Sequence, residues 1–427
     1  MCDKFSEAKF LVSEENAIKI LRKCKQINKH ALFKSYSIRK ASEKMLGFLS
    51  DYWKLEILYA TCNDQIQSVS FFIKSISKTN SSKAKMVREL KLLDKELIFY
   101  TVIREKINLL DVEPWSAELI MTLNEAVVLE DLNFLHYTTR NKHETFDQQH
   151  TLIALQALAR FHAGTFVYEE KKRKHLKEYV INDEHEEVLN RGGYIKSDPW
   201  FTQCMIGALE AIKSFSKYNM NPQTLRDIEN KWTEVWDLAL DFSHDSNEYR
   251  NVICHRDLWN NNIMFRYKEI NGKLVPDNCV FVDFQAVTCQ PPAGDVMLLL
   301  ICNLDPKFRE ENMTNFLKFY YQELKNILAR YNVTITDIMP FDQFLSSCEK
   351  YKLWGLVITA CLVPQFWVDD DLTLTYFSDT VSFREILTED KGSFIKNMMA
   401  SNDDYRNKVM QVFEEIVDAY CLDKKDL

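Results

Sequence analysis

The sequence predicts an α+β fold of two lobes, a small β-rich N-lobe followed by a large, mainly helical C-lobe. Three observations predict it. Strand-like runs crowd the first third of the chain, at Trp53 to Ala60, Ser68 to Ile76 and Ala126 to Leu129. From Thr151 onward apolar residues recur at helical spacing instead. A chain of 427 residues, 46% hydrophobic, can bury one large core or two moderate ones. On this reading residues 1–36 form an N-terminal helical extension, 37–131 the N-lobe and 132–427 the C-lobe.

Ser13 is a good N-cap for a short amphipathic helix carrying Ile18, Leu21 and Cys24, and Glu14 and Glu15 suit the positive end of its dipole. Two strands follow, with Asn63-Asp64 in the turn between them. Alternation along the second strand puts Ser70, Phe72 and Lys74 on one face, Phe71 and Ile73 on the other. Alone, a lysine at a strand end is usually a solvated edge charge. A polar loop (Thr79 to Lys83) then leads into a helix expected from about Lys85 to Lys106. Its stripe of Leu92, Leu93, Phe99 and Tyr100 contains one acid, Glu96. A carboxylate on an apolar face needs a partner, and Lys74 is the natural candidate. Glu89 and Glu105 read more simply as solvent-face charges. The strand ending at Leu129 runs into Glu130-Asp131-Leu132, where β-structure gives way to helix.

In the helical part, Leu152, Leu155, Leu158, Ala159 and His162 share a stripe, His162 reading as a satisfied packing residue. Glu169 to Asn190 is charge-rich and reads as a surface excursion. Asn221-Pro222 opens a helix with Leu225, Ile228, Trp232, Val235 and Ala239 on its core face. That helix delivers the chain to Cys254-His255-Arg256-Asp257-Leu258-Trp259-Asn260-Asn261-Asn262. A hairpin turning at Asn271-Gly272 comes next, then the strand Val280-Phe281-Val282, which ends in Asp283-Phe284. Only Phe284 to Gly294, punctuated by Pro291-Pro292, precedes Asp295 and an apolar helix. Asp295 reads as a carboxylate that steadies the preceding loop through backbone amides, or as a plain N-cap. Trp354, Phe366 and Trp367 around Pro364 are candidate walls of an apolar substrate pocket.

The order H-x-D-x-x-x-x-N, hairpin, strand, D-F is the phosphoryl-transfer constellation of kinase-like enzymes. Asp257 is placed to accept or orient the proton of a substrate hydroxyl. Asn262 and Asp283 are placed to converge on the Mg²⁺ that bridges the phosphates of ATP, because hard cations prefer oxygen ligands. In this frame Lys74 reaches for the α- and β-phosphates, Glu96 anchors it and Phe72 lies below the adenine. Backbone groups near Glu130 and Leu132 then meet the adenine edge. A protein-kinase-like fold is the architecture that gathers these parts.

Lys plus Arg is 54 and Asp plus Glu is 62, a formal charge of −8, which argues against nucleic acid and against an anionic membrane surface as partner. The 11 cysteines, an odd number without C-x-x-C pairs, read as reduced and cytoplasmic. Sequons at Asn80, Asn312 and Asn332 are read as unglycosylated, since the N-terminus has no apolar leader core. Apolar runs such as Val296 to Cys302 are too short for membrane insertion.

With these pieces in order, the sequence resembles the ecdysteroid kinase-like (CHK kinase-like) family, within the choline kinase and aminoglycoside phosphotransferase group. The resemblance runs from about Phe48 to Asp418. It rests on Phe72-Ile73-Lys74, Lys95-Glu96-Leu97-Ile98-Phe99-Tyr100, Leu129-Glu130-Asp131-Leu132 and Leu158-Ala159-Arg160-Phe161-His162-Ala163. Its most characteristic strings are Asp257-Leu258-Trp259-x-Asn261-Asn262-Ile263-Met264-Phe265 and Val282-Asp283-Phe284-Gln285. The resemblance implies ATP-dependent phosphorylation of a small-molecule alcohol, with ecdysteroids and xenobiotic alcohols as substrates. It makes Asp257 the base, Asn262 and Asp283 the Mg²⁺ ligands, and Lys74 with Glu96 the phosphate-anchoring pair. The chain departs from the family where Arg256 replaces the usual glycine. It departs again in a phosphate loop, Gly47-Phe48-Leu49-Ser50-Asp51, with a single glycine, where backbone N–H groups and Ser50 are left to cradle phosphate.

Three other readings compete. Arg256 gives the H-R-D string of protein kinases, but Phe284 to Gly294 leaves little room for an activation segment. The glycine-poor loop would suit a catalytically weak nucleotide-binding module. A choline or aminoglycoside kinase would want an acidic or aromatic cage.

Overall fold

The Ser13 hydroxyl accepts the Asn16 amide and starts α1 (Glu14–Lys23), which buries Ala17, Ile20 and Leu21. The computed structural model describes residues 11–25, 27–28, 30–172, 180–190 and 194–422; residues 1–10 of the expected extension lie outside the described residues. The apolar face of α1 packs on an antiparallel sheet of β1 (Leu32–Lys40), β2 (Ser50–Ala60), β3 (Ile66–Ile76), β4 (Leu119–Leu123) and β5 (Ala126–Glu130), in the order β1-β2-β3-β5-β4. Val69, Phe71 and Ile73 of β3 join Leu55, Ile57, Val128 and the α1 residues in one small apolar cluster. Alternation therefore turns Phe72 and Lys74 to the opposite face, opposite Leu129 and Val127 of β5. β1 straddles the boundary expected at residue 36; most of its residues are exposed or half-buried, so its pattern is faint.

The single helix expected from about Lys85 to Lys106 is broken. It becomes α2 (Ser81–Glu89), α3 (Leu92–Ile98), a π-helical turn (Phe99–Ile103) and α4 (Arg104–Ile107). Lys91 adopts φ 56°, which ends α2 and restarts the helix in a new direction. The wider π turn keeps Phe99 and Tyr100 both buried, and Phe99 lies flat on Phe284 at 4.1 Å and 8°. These short helices precede the strand crossover in sequence yet share the larger apolar cluster of the C-lobe.

That lobe comprises β6 (Tyr137–Thr139), α5 (Gln148–Lys172), α6 (Val180–Leu189), α7 (Pro199–Phe215), α8 (Pro222–Asp241), β7 (Val252–Cys254), β8 (Ile263–Ile270), β9 (Lys273–Phe281) and β10 (Thr288–Gln290). It continues with α9 (Pro292–Asn303), α10 (Pro306–Arg330), α11 (Ile335–Ile338), α12 (Phe341–Phe366), α13 (Asp370–Ser378), α14 (Thr380–Arg384), α15 (Lys391–Ser401) and α16 (Asp403–Ile416). β6-β8-β9 form one small sheet and β7-β10 another. The β8–β9 hairpin turns at Asn271 (φ 52°) and Gly272 (φ 74°), the two positive φ values that an Asn-Gly turn supplies. The expected surface excursion is only partly one. Residues 173–179 lie outside the described residues, but Glu169 is buried and accepts the Val180 and Ile181 amides, while Ile181 and Leu189 are core. Every residue of α9 is buried, which explains its apolar run from Val296 to Cys302. Among the described residues no single helix is long and apolar enough to cross a membrane.

Candidate active site

Lys74 is the point where three distant segments meet. Its ammonium lies 2.6 Å from Glu96 of α3 and 2.6 Å from Asp283 after β9, and it donates to the Gln285 amide oxygen at 3.3 Å. Lys74 and Glu96 are almost fully buried. Burial alone would push the lysine towards neutrality, but the charges of Asp283 and Glu96 outweigh it and raise its pKa. Burial raises the Glu96 carboxyl, opposed by Lys74. The pair thus meets the need for a partner that the sequence raised. Glu89 is exposed beside Lys85, and Glu105 is exposed as well.

The loop after β7 is held from below. Both oxygens of the fully buried Asp295 accept backbone amides, His255 at 2.6 Å and Arg256 at 2.8 Å. Burial pushes the Asp295 carboxyl up; the His162 hydrogen bond and the His162 and His255 imidazoles outweigh it and hold it below the usual carboxylate range. His162 itself spans Asp295 at 3.2 Å and the Tyr320 hydroxyl at 2.7 Å, so it is a satisfied core histidine that braces the loop. His255 Nε2 lies 2.9 Å from the Val282 carbonyl and ties the loop to the end of β9. Arg256 and Asp283 sit at φ 68° and 69°, left-handed positions that non-glycine residues adopt at a cost and that cluster at functional sites.

This bracing presents Asp257 and Asn262 to the cleft. Asn262 Nδ2 donates to the Asp257 carbonyl and to Asp257 Oδ2, each at 2.9 Å, which leaves its amide oxygen for other ligands. Asp257 Oδ1 is without a partner among the described residues. Burial, then the Asp283 charge, pushes the Asp257 carboxyl up to about 8, against the Asn262 hydrogen bond and Lys74. Asp257, held by Asn262, thus lies within electrostatic reach of both Asp283 and Lys74.

Asp257, Asn262, Asp283 and Gln285 are among the residues that line a cavity of about 130 Å³. Its walls are apolar and come from both lobes: Phe48, Met86 and Leu90 from the N-lobe segment, Trp259, Leu362 and Phe366 from the C-lobe. Phe48 packs within 4.9 Å of Phe377 and 5.0 Å of Phe366, ring centre to ring centre, while Trp259 and Phe366 stack at 3.7 Å. Of the three aromatics expected to wall such a pocket, only Phe366 does. Trp354 lies fully buried beneath it, under the Arg256 guanidinium at 5.0 Å; Trp367 turns outward against His143 and Lys408. Arg256 is also 5.1 Å from the Tyr194 ring, so it serves as a buried cation between aromatic faces.

The remaining predicted residues lie away from this cavity. Ser50 starts β2 and is buried. The Tyr52 hydroxyl approaches Gly47 so closely that a Cβ there would meet it, so any larger residue at this one glycine of the loop would displace the Tyr52 side chain. Phe72 is half-buried on the cleft face, 5.7 Å from Tyr52. Where β5 gives way to the C-lobe, the hinge between the lobes, Glu130 N donates to the Glu118 carbonyl, and the Leu132 carbonyl accepts from Leu135 and Tyr137. The Leu132 N–H is left as the free hinge donor among the described residues. Sequence reading missed Asp131, which accepts from Ser70 at 2.6 Å and pairs with Lys54 at 2.8 Å.

The model of the ecdysteroid kinase-like family matches residues 44–333, a stretch that includes Lys74, Glu96, Asp257, Asn262 and Asp283. An uncharacterized kinase-like protein of Caenorhabditis elegans is 26% identical over 185 residues, which cover 42% of each chain. The chain therefore matches less than half the length of that relative. A crystal structure of the choline kinase LicA from Streptococcus pneumoniae aligns over 91% of this chain and 95% of its own, at 12% identity and a TM-score of 0.31.

Proposed function

This chain belongs to the ecdysteroid kinase-like family, and from that premise we propose that it is an ATP-dependent small-molecule kinase acting on a hydroxyl of a steroid-like or xenobiotic alcohol. The observation that carries the proposal is the junction of Lys74, Glu96 and Asp283 at the mouth of an apolar cavity into which Asp257 faces. In the proposed reaction the acceptor oxygen bonds to the γ-phosphorus as the bond to the bridging oxygen of ADP breaks. The hydroxyl proton passes to Asp257 Oδ1, and ADP departs with the bonding electron pair.

The residues present fit a magnesium ion. Asp283 and Asn262 offer only oxygen, and the mutual repulsion of Asp257 and Asp283 is what a divalent cation would offset. When bound, the ion would neutralise charge on the phosphates. Lys74 would hold the α- and β-phosphates, kept in place by Glu96. Phe72 would lie against the adenine, Ser50 within the phosphate loop would help cradle phosphate, and the backbone at Glu130 and Leu132 would face the adenine edge, the Leu132 N–H as donor. Apolar walls around Asp257 keep water from competing for the phosphoryl group. The same reading puts the enzyme in a reducing cytoplasm, supported by its odd number of cysteines.

A direct test incubates the protein with Mg-ATP and a panel of steroid alcohols, xenobiotic alcohols and choline, and looks for phosphorylated product by mass. No product from any alcohol, with ATP bound, would favour the competing reading of a catalytically weak nucleotide-binding protein.

A further inference from the structure

A second cavity, of about 250 Å³, lies between α5, α10, β9 and the loop from Asp111 to Glu113 that follows α4. It shares no lining residue with the cavity beside Asp257, and phosphoryl transfer has no use for it. Its volume falls below the usual range for drug-sized ligands and suits a molecule of a few non-hydrogen atoms.

Arg160 of α5 lines this cavity and is only 6% exposed. Its Nη2 donates to Asn278 Oδ1 at 2.5 Å. Nε is buried without a partner, and Nη1 makes no hydrogen bond among the described residues. A guanidinium is always charged and carries five N–H donors. Burying one without an anion is costly, yet Arg160 forms no ion pair among the described residues. The acids around it are engaged elsewhere. Both Asp277 oxygens accept from Arg266, at 3.1 and 3.2 Å, and Glu323 Oε2 accepts from Gln156 at 2.9 Å. The chain thus leaves Arg160 short of an anionic acceptor.

The other walls decide which anion fits. Asp111, Glu113, Asp277 and Glu323 line the cavity against two arginines, Arg160 and the exposed Arg330, which is tied to the Asp111 carbonyl at 3.2 Å. Burial lowers the Arg160 pKa, and Glu113 and Glu323 oppose that shift, so both acids lie within electrostatic reach of the guanidinium. A doubly charged anion such as phosphate would be repelled by this acidic excess. A single carboxylate with an ammonium on the adjacent carbon meets both demands. The carboxylate accepts from Arg160, and the ammonium donates to Glu323 Oε1, which has no bond among the described residues.

We propose that this cavity binds a small zwitterion of the α-amino acid class, its carboxylate on Arg160 and its ammonium on Glu323. The proposal does not rest on the kinase reading. The site lies behind the reaction centre: Asn278, the partner of Arg160, is on β9, the strand that leads into Asp283, and it also donates to the Pro114 carbonyl and the Tyr137 hydroxyl.

The test is isothermal titration calorimetry of the whole chain, without nucleotide or metal. The probes are the common α-amino acids singly, with propionate, isopropylamine and inorganic phosphate to present each charge alone. At least one amino acid should bind about tenfold more tightly than any of these three. Glu323→Gln keeps an amide oxygen for Gln156 but loses the charge, so it should weaken amino-acid binding about tenfold without weakening propionate. Arg160→Gln keeps a donor for Asn278 and should abolish binding of amino acid and propionate alike. If that variant melts well below wild type, the half-buried Glu323 variant decides the matter. No binding of any amino acid, phosphate binding as tight as the best amino acid, or wild-type affinity in Glu323→Gln would each overturn the site.

Discussion

Asp257→Asn is the substitution with the sharpest pair of consequences. The change is isosteric, and the new amide can still accept from Asn262 Nδ2 at the position now held by Oδ2. What disappears is a proton acceptor and a charge. Proton acceptance by a positioned carboxylate contributes about 10²–10⁴ in rate, so turnover should fall by that factor, roughly 3–5 kcal/mol on the barrier. Lys74, Glu96 and Asp283 do not depend on Asp257 for their contacts, so the Mg-ATP dissociation constant should move by no more than about threefold. The nucleotide-free protein should meanwhile gain stability. Burial and Asp283 push Asp257 from its ordinary 3.8 up to about 8, so across that window the folded chain keeps a proton that the unfolded chain has released. Stability therefore falls as pH rises through the window, reaching its full loss only above pH 8. Four units at about 1.4 kcal/mol each give roughly 5–6 kcal/mol. The carboxyl faces the cavity and keeps part of its solvent, so about 2–3 kcal/mol is the expected share. Asparagine bears no such cost. For a chain of this length each kcal/mol is worth about 1 °C. The variant should melt about 2–3 °C above wild type at pH 8.5, with a smaller gap at pH 5, in chelator and without nucleotide. Turnover within about tenfold of wild type would strip Asp257 of its role as base. A melting gap that ignores pH would refute the electrostatic account.

Asp283→Ala should abolish the magnesium-dependent part of nucleotide affinity measured by calorimetry; a variant that keeps the wild-type metal dependence would count against Asp283 as a ligand. Phe48→Ala removes a ring that closes the cavity against Phe366 and Phe377. It should raise the acceptor KM by about 5–30-fold, the equivalent of 1–2 kcal/mol of aromatic contact, with a smaller effect on the ATP KM. An effect confined to ATP would assign the loop to phosphate alone. Lys95 is fully buried and donates to the Leu189 carbonyl; burial, then Arg256, pushes its pKa down to about 7. The folded chain releases that proton near pH 7 and the unfolded chain only near 10, so this residue's contribution to stability rises with pH across the interval. Lys95→Met should remove that rise, so wild type should gain on the variant from pH 7 to pH 9; parallel melting curves would refute it.

The reaction centre was legible because its parts are local in sequence or in conflict with it. Asp257 and Asn262 lie on one loop, and Asp283 ends the strand that the next hairpin returns. Glu96 stood out as an acid on an apolar face, a conflict that only a buried cation could resolve, and Lys74 resolves it at 2.6 Å. Asp295 was read as a brace for backbone amides or as a plain N-cap, and its bonds to the His255 and Arg256 amides decide for the brace. The acceptor chamber was not legible. Most of α12 from Tyr351 onward is buried, so periodicity could not say that Phe366 and Gln365 face the cavity while Trp354 does not. Asp198 looks like any N-cap, and nothing in the sequence says that it lines the cavity. The break at Lys91 and the π turn after Ile98 are invisible to a helical pattern that is apolar on both sides of them. This division has a functional consequence. Phosphoryl chemistry depends on residues that a few strings fix together, whereas the chamber is assembled from side chains on many separate segments. On the proposed kinase reading, single substitutions at Leu90, Leu362 or Leu387 should therefore change which alcohol fits without moving Lys74, Glu96 or Asp283. A fold arranged in this way can change its acceptor without rebuilding its means of transferring phosphate.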